Sequence, residues 1–156
     1  MGSLQAVKRK RLRLFLVIGL VLSAVFAGWS WFRPYEWGAD SAAGCRVSLV
    51  QVRKDKSFYW VEMHLKLLEG EGYDLMKPAR LICAGGRELE PADTTLGGDR
   101  EQGVTTDLWF RFWLEGEQIE GPLRLRINEG ELVVKGNEGV PRLGASGSEV
   151  FVTNRW

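Results

Sequence analysis

Residues 57–68 read SFYWVEMHLKLL, and apolar and polar side chains alternate along most of this stretch. One set of alternating positions carries Tyr59, Val61, Met63, Leu65 and Leu67. The opposite set carries Glu62, His64 and Lys66. A period of two residues is typical of a β-strand that has one face in a hydrophobic core. The stretch therefore predicts a strand and indicates an all-β domain around it.

Further runs of β-branched, aromatic or alternating residues are separated by Gly, Pro, Asp and Asn. They are CRVSLVQV (45–52), ARLICA (79–84), VTTDLWFRFWL (104–114), PLRLRI (122–127), ELVVK (131–135) and EVFVT (149–153). About seven short strands are typical of an antiparallel immunoglobulin-like β-sandwich, and a small barrel is the competing topology.

Two connections between these runs have different expected structures. The sequence NEGE at Asn128–Glu131 predicts a tight turn between two strands. The polar segment 84–103, AGGRELEPADTTLGGDREQG, is expected to be a solvated, mobile loop, and turns account for its double glycines. No run in the body has a helical period, although a turn of helix fits Tyr73–Met76.

The N-terminal part contains an uncharged segment from Leu14 to Phe32. A helix of that length spans about 28 Å, close to the roughly 30 Å hydrocarbon core of a bilayer. The segment therefore predicts a transmembrane helix that is retained as a signal anchor. The alternative is a signal peptide cut after Ala27, which would leave a secreted domain.

The distribution of charge predicts the orientation of this anchor. Residues 1–13 carry five Lys/Arg and no acid, whereas all 20 acidic residues follow Phe32. The positive-inside rule then places residues 1–13 in the cytoplasm as a basic tail and the C-terminal part outside the cell membrane. The expected organisation is a tail at 1–13, a transmembrane helix at 14–32, a spacer at 33–44 and an extracytoplasmic domain at 45–156.

The flanks of the apolar segment are rich in aromatic and basic residues, which is typical of a membrane interface. The residues expected there are Arg13, Trp29, Trp31, Phe32, Arg33, Tyr35 and Trp37. Gly19, Ser23 and Ala27 recur at intervals of four, a spacing that allows two membrane helices to pack closely. The expected partners are therefore the lipid bilayer and either an envelope protein or a second copy of the helix. The mildly acidic body argues against nucleic acid.

The body has few residues with the spacing that catalysis or metal binding needs. His64 is the single histidine, and it falls on the polar register of its strand. Cys45 and Cys83 are the only cysteines, and they lack metal-site spacing. We therefore expect no enzyme, no cofactor and no metal site. In an oxidising compartment the two cysteines either form a disulfide or remain two buried free thiols.

Aromatic residues at polar positions are the one departure from the alternating pattern. Phe58 and Trp60 lie on the polar register of 57–68, and Trp109 and Trp113 lie on that of 104–114. If the two strands are neighbours, these rings share a face with Asp107 and Arg111. Exposed rings among hydrogen-bonding groups suit a protein partner or a stacked sugar, unless another segment covers them.

These observations lead to one functional hypothesis and one alternative. The first is a membrane-anchored, extracytoplasmic β-sandwich that acts by protein–protein interaction. The alternative is a module that binds cell-wall glycan through the aromatic face. The arrangement resembles single-span bacterial envelope proteins that carry one immunoglobulin-like sandwich outside the membrane, a resemblance of architecture that implies no site residues.

Overall fold

The computed structural model describes residues 15–29, 37, 40–99 and 103–156, apart from the side chain of Asp99. The chain divides into two units, Met1–Pro34 and Tyr35–Trp156. The described part of the first unit is a helix, whereas the second unit consists mainly of β-strands.

The N-terminal helix, α1, covers residues 15–29. Its apolar side chains are exposed, with Phe15 at 71% and Phe26 at 74%. In the described part of the chain, no helix is both long enough and apolar enough to cross a membrane. The structure therefore supports one N-terminal helix and does not show the membrane span expected at Leu14–Phe32. Leu14 and residues 30–32 lie outside the described residues.

The larger of two antiparallel sheets, sheet A, has five strands in the order β5-β6-β2-β1-β9. The strands are β1 (Cys45–Asp55), β2 (Phe58–Leu67), β5 (Asp93–Asp99), β6 (Val104–Glu115) and β9 (Ser148–Phe151). Sheet B has four strands in the order β4-β3-β7-β8. They are β3 (Arg80–Ile82), β4 (Glu88–Leu89), β7 (Leu123–Ile127) and β8 (Gly130–Lys135).

One hydrophobic core contains side chains from both sheets, consistent with a β-sandwich. The alternating positions of β2 and β6 supply eight of its residues, and their side chains are almost fully buried. These residues are Tyr59, Val61, Met63 and Leu65 of β2, and Leu108, Phe110, Phe112 and Leu114 of β6. The pattern that predicted strands therefore also identified the core face of sheet A.

The expectation of a mostly β protein is confirmed, since each of the predicted runs contains a strand. The prediction of a structureless loop at 84–103 is wrong, because β4 and β5 lie within it and β5 pairs with β6 from Asp93 to Asp99.

Val104, expected to be buried with the other apolar residues of β6, is 50% exposed. A 3₁₀ turn also covers Ala84–Gly86.

A short helix, α2 (Gly116–Glu120), follows β6 and was not expected from the sequence. The Gln118 side chain accepts a hydrogen bond of 2.8 Å from the Glu115 backbone N–H. The Glu115 side chain in turn accepts from the Gln118 backbone N–H, and this reciprocal pair is a capping box, which satisfies backbone donors at the start of the helix. At the helix end, the ammonium of Lys135 donates to the carbonyl oxygens of Ile119 at 2.8 Å and Glu120 at 3.0 Å. Lys135 is fully buried, and burial lowers the pKa of its ammonium.

The segment that enters the sandwich packs closely against it. Trp37, expected at the membrane interface, is 5% exposed and belongs to the hydrophobic core, as does Ala43. Asn128, in the turn between β7 and β8, donates to the Ala43 carbonyl at 2.8 Å and the Gly72 carbonyl at 3.0 Å. Its own amide oxygen accepts from the Asp74 backbone at 2.9 Å. One side chain therefore joins the entry segment, a loop and a hairpin turn.

Cys45 and Cys83 are free and buried, so the second of the two expected thiol states is the one present. Burial, with a smaller contribution from the charge of Asp40, raises the pKa of the Cys45 thiol to about 12. Burial also raises the pKa of the Cys83 thiol. Both groups are therefore protonated and poorly nucleophilic near neutral pH.

Candidate functional site

The candidate site is the face of sheet A that points away from the core. Because β2 and β6 are direct neighbours, Trp60 lies opposite Trp113, and His64 lies opposite Trp109. The condition under which these rings share a face, adjacency of the two strands, is therefore met. We call this surface the aromatic face. It comprises Phe58, Trp60, Glu62 and His64 of β2, Asp107, Trp109, Arg111 and Trp113 of β6, and the outward residues of β1 and β5 beside them.

An ion pair occupies the middle of the aromatic face. The Arg111 Nε and Nη2 atoms donate to Glu62 Oε2 at 3.1 and 2.9 Å. The two side chains are 47% and 36% exposed, so solvent screens the attraction and the pair contributes little to stability. The ion pair instead orients the Glu62 carboxylate and the Arg111 guanidinium. Arg111 also has further N–H donors that these contacts do not use.

Trp109 is held in place from two sides. Its ring stacks on the His64 imidazole with centroids 4.6 Å apart and an angle of 13° between the planes. The far edge of the indole lies over Gly97 of β5, where there is no side chain to displace it. His64 in turn has its Nε2 atom 2.7 Å from the Asp107 carboxylate. The indole is thus fixed by its neighbours before any ligand arrives.

The carboxylate of Asp107 has a second partner, the Thr106 hydroxyl, which donates to it at 2.6 Å. Hydrogen bonds from Thr106 and then from His64, together with the nearby charge of Lys66, hold the pKa of Asp107 below its usual range. Asp107 therefore remains an acceptor over the neutral range and orients His64.

The other end of the aromatic face is a cluster of three rings. Trp113 lies 4.3 Å from Phe58 and 6.1 Å from Trp60, measured between ring centroids. Trp113 is 50% exposed, whereas Phe58 and Trp60 are half-buried. The rings therefore cover part of one another, and Trp113 presents the largest exposed aromatic surface here.

Two shallow depressions flank the central ion pair. The first has a volume of about 200 Å³ and is lined by Gln51, Arg53, Trp60, Glu62 and Arg111. The second has a volume of about 230 Å³ and is lined by Glu62, Asp93, Thr95, Trp109, Phe110 and Arg111. Each therefore combines an indole wall with several polar side chains.

The structure brings the predicted binding residues Phe58, Trp60, Trp109, Trp113, Asp107 and Arg111 onto one surface. Sequence reasoning missed Gln51 and Arg53 of β1, which could have been found because they alternate with the buried Val50 and Val52. It also missed Asp93 and Thr95, because they lie in the segment that was expected to be a loop. These four residues line the depressions.

Two of the residues expected at the membrane interface, Trp29 and Trp37, belong to the described part of the chain. Trp29 is 62% exposed at the end of α1, while Trp37 is buried in the core of the other unit. The remaining expected residues lie outside the described part of the chain: Arg13, Trp31, Phe32, Arg33 and Tyr35.

Metal binding and acid–base catalysis each need a particular arrangement of titratable groups. Within residues 15–29, 37, 40–99 and 103–156, no group of three or more His, Cys, Asp or Glu side chains could hold a metal ion. The His64–Asp107 pair resembles the base and orienting acid of a hydrolase. However, the imidazole is only 14% exposed and is stacked on Trp109, so it has little access to a substrate.

Comparison of the chain with models of protein families, with curated proteins and with solved structures found no match.

Proposed function

We propose that the domain is a non-catalytic module that binds a neutral glycan through the aromatic face. The observation that carries this proposal is the pair of depressions, each of which has one indole wall and a largely polar lining. A sugar ring presents an apolar C–H face and a rim of hydroxyl groups. The C–H face can stack on Trp60 or Trp109, and the hydroxyls can bond to the polar side chains around them.

The charges of the aromatic face support an uncharged ligand. Arg111 is paired with Glu62, and His64 contacts Asp107. A strongly charged ligand would have to compete with these pairs. A hydroxyl group can instead donate to the carboxylates and accept from the guanidinium without breaking them.

A protein partner is the second candidate, and it corresponds to the primary hypothesis from the sequence. The observation that favours it is the ring cluster, because Trp113 is 50% exposed beside Phe58 and Trp60. Tryptophan and arginine are the residue types that dominate binding energy at protein interfaces. Trp60 belongs to both the ring cluster and the first depression, whereas Trp113 lines neither depression and therefore bears on the protein candidate alone.

We also propose that the apolar N-terminal segment holds this module at the outside of a cell membrane, and that the module is an immunoglobulin-like sandwich. The uncharged stretch Leu14–Phe32, the basic residues before it and the exposed apolar side chains of α1 support the anchor. Self-association through Gly19, Ser23 and Ala27 is part of the same proposal. A shorter mature chain that begins at Gly28 and fractionates with soluble proteins would contradict the anchor.

The binding proposal is tested on the full-length chain with β-1,4-linked oligomers of N-acetylglucosamine and of glucose. Binding is followed by tryptophan fluorescence and calorimetry. We expect Trp60→Ala to weaken glycan binding about tenfold, because it removes one stacking wall. Trp113→Ala is the matched control and should leave glycan binding nearly unchanged.

Two results separate the candidates. If no oligosaccharide binds at millimolar concentration, the glycan proposal is wrong. If Trp113→Ala abolishes co-purification of an envelope protein while Trp60→Ala does not, the protein candidate replaces it.

A further inference from the structure

The two depressions adjoin because they share two lining residues, Glu62 and Arg111. The pairing of the strands gives their direction. Gln51 lies opposite Glu62, Glu62 opposite Arg111, and Arg111 opposite Asp93. Arg53 is the next outward residue of β1 and lies opposite Trp60, beside the β1 end of this row. The two depressions therefore form one row that crosses β1, β2, β6 and β5. With strands about 4.8 Å apart, the three intervals of this row cover about 14 Å.

The size of each depression limits what it can hold. Their volumes of about 200 and 230 Å³ are below the range of roughly 300–1,000 Å³ that is usual for drug-sized ligands. Each depression is therefore suited to one small unit rather than to a whole ligand. A ligand built from repeated units can place one unit in each of the two adjacent depressions, and a linear oligosaccharide is such a ligand.

The two ends of the row have opposite hydrogen-bonding character. Among the described residues, neither Arg53 nor Asp93 forms a hydrogen bond or ion pair through its side chain, and both are exposed. Arginine can only donate, and an ionised aspartate can only accept. A hydroxyl group can accept from Arg53 and can donate to Asp93, so the hydroxyls of a neutral sugar satisfy both ends.

We infer that the two depressions are adjacent subsites for one linear, neutral oligosaccharide that crosses the strands of sheet A. Arg53 and Asp93 contact its two ends, and the Glu62–Arg111 pair lies under the linkage between the two sugar rings. This inference rests on the proposed glycan-binding function and adds the length and direction of the ligand.

The experiment measures affinity as a function of ligand length. The full-length chain is titrated with β-1,4-linked N-acetylglucosamine from monomer to hexamer. We expect affinity to rise at least tenfold from the monomer to the dimer and then to stay nearly constant, because two rings fill both depressions and a longer chain extends beyond them. Sheet B lies across the core from sheet A, and its outer face serves as the location of control substitutions.

Two substitutions test the ends of the row separately. Arg53→Ala and Asp93→Asn should each weaken trimer binding about tenfold, because the first removes a charged donor and the second removes the charge of the acceptor. Their matched controls are Arg126→Ala and Glu131→Gln on sheet B, which should leave trimer binding unchanged. Arg53→Lys should restore part of the affinity, since it keeps a donor at that end.

The outcomes distinguish the inference from the proposed function. If oligosaccharides bind but monomer and trimer have equal affinity, the two-subsite inference is overturned and the glycan-binding function remains. If the trimer binds and both end variants bind it as well as the unchanged chain, the assigned ends are wrong. If no oligomer binds at all, the proposed function itself is overturned.

Discussion

The indole of Trp109 lies so close to Gly97 that a methyl group at position 97 would come within 2.4 Å of the ring atom Cζ3. The ring cannot easily move away, because the His64 imidazole stacks on it. We therefore expect Gly97→Ala to destabilise the domain by about 1–3 kcal/mol, as overpacking of a fixed ring does. The measurement is the free energy of unfolding in urea.

The control for this substitution is Gly116→Ala in α2. A methyl group at position 116 would meet no atom within 4 Å, and alanine favours a helix more than glycine does. Equal stabilities for the two variants would contradict the packing argument. A displaced Trp109 should also change the tryptophan emission of Gly97→Ala but not that of Gly116→Ala.

Lys135 satisfies several backbone carbonyls at the end of α2. Its ammonium donates to the carbonyl oxygens of Ile119, Glu120 and Gly121 and also to that of Gly139, at 2.7–3.2 Å. Lys135→Met keeps an unbranched side chain but removes the ammonium, so these carbonyl oxygens lose their donor. We expect a loss of about 2–3 kcal/mol in the free energy of unfolding.

Exposed Lys66 provides the comparison for Lys135. Lys66→Met removes the same charge from the surface, where a single substitution usually changes stability by less than about 0.5 kcal/mol. If both variants unfold at the same urea concentration, the carbonyl oxygens around Lys135 are satisfied in another way and the argument fails.

The lowered pKa of Asp107 predicts how stability changes in acid. Thr106 and His64 favour the ionised carboxylate in the folded state, so its pKa there lies below the ordinary value of 3.8. Such a group stabilises the fold above its unfolded pKa, and this stability is lost as the pH falls through the folded pKa. From about pH 4 to about pH 2, stability should therefore fall less steeply for Asp107→Asn than for the unchanged chain. Asp55→Asn is the control for loss of an acidic residue. If the curves of stability against pH are parallel for Asp107→Asn and the unchanged chain, Thr106 and His64 do not stabilise the ionised carboxylate.

The two buried thiols predict slow modification of the folded chain. Burial raises the pKa of both Cys45 and Cys83, and the thiolate is the reactive form. A thiol reagent at neutral pH should therefore label neither cysteine until urea unfolds the domain, and should then label both without a reducing agent. Failure to label the unfolded, unreduced chain would show a disulfide.

Asn128 has a left-handed backbone conformation, with φ of 49°, and its amide bonds to two other segments, the entry segment and the loop that contains Gly72 and Asp74. We expect Asn128→Ala to lose about 2–4 kcal/mol, from the lost hydrogen bonds and from strain at positive φ. Asn128→Gly loses the same bonds without the strain, so its loss should be smaller by about 1 kcal/mol. Equal losses would show that strain plays no part.

The core of sheet A could be predicted because its side chains alternate with a period of two. In β2 and β6 the residues between the core positions include Glu62 and Arg111, so the two faces differ clearly in polarity. The register between the strands could not be predicted, because neither sequence indicates which residue of β2 lies opposite Trp113. The pairing supplies that information and makes the aromatic face one surface.

The elements that were missed have weak sequence signals for physical reasons. β5 contains Gly97 and Gly98 and two acids, residue types that are rare in strands, and it lies at the sheet edge where one side needs no partner. α2 is too short to show a helical period, and only the pair Glu115 and Gln118 indicates its start. The entry segment has the composition of a spacer. Trp37 is nevertheless buried, because the core that covers it is formed by residues distant in the sequence, which the local composition does not indicate.

The pairing of β2 with β6, residue opposite residue from Phe58 to Lys66, also determines which changes in chain length the domain can tolerate. One residue inserted between Asp107 and Trp113 would reverse the direction of every following side chain in β6, turning Phe112 toward solvent and Trp113 toward the interior. Natural variants of this domain should therefore gain or lose residues in the connections between strands and keep both of these strands at constant length.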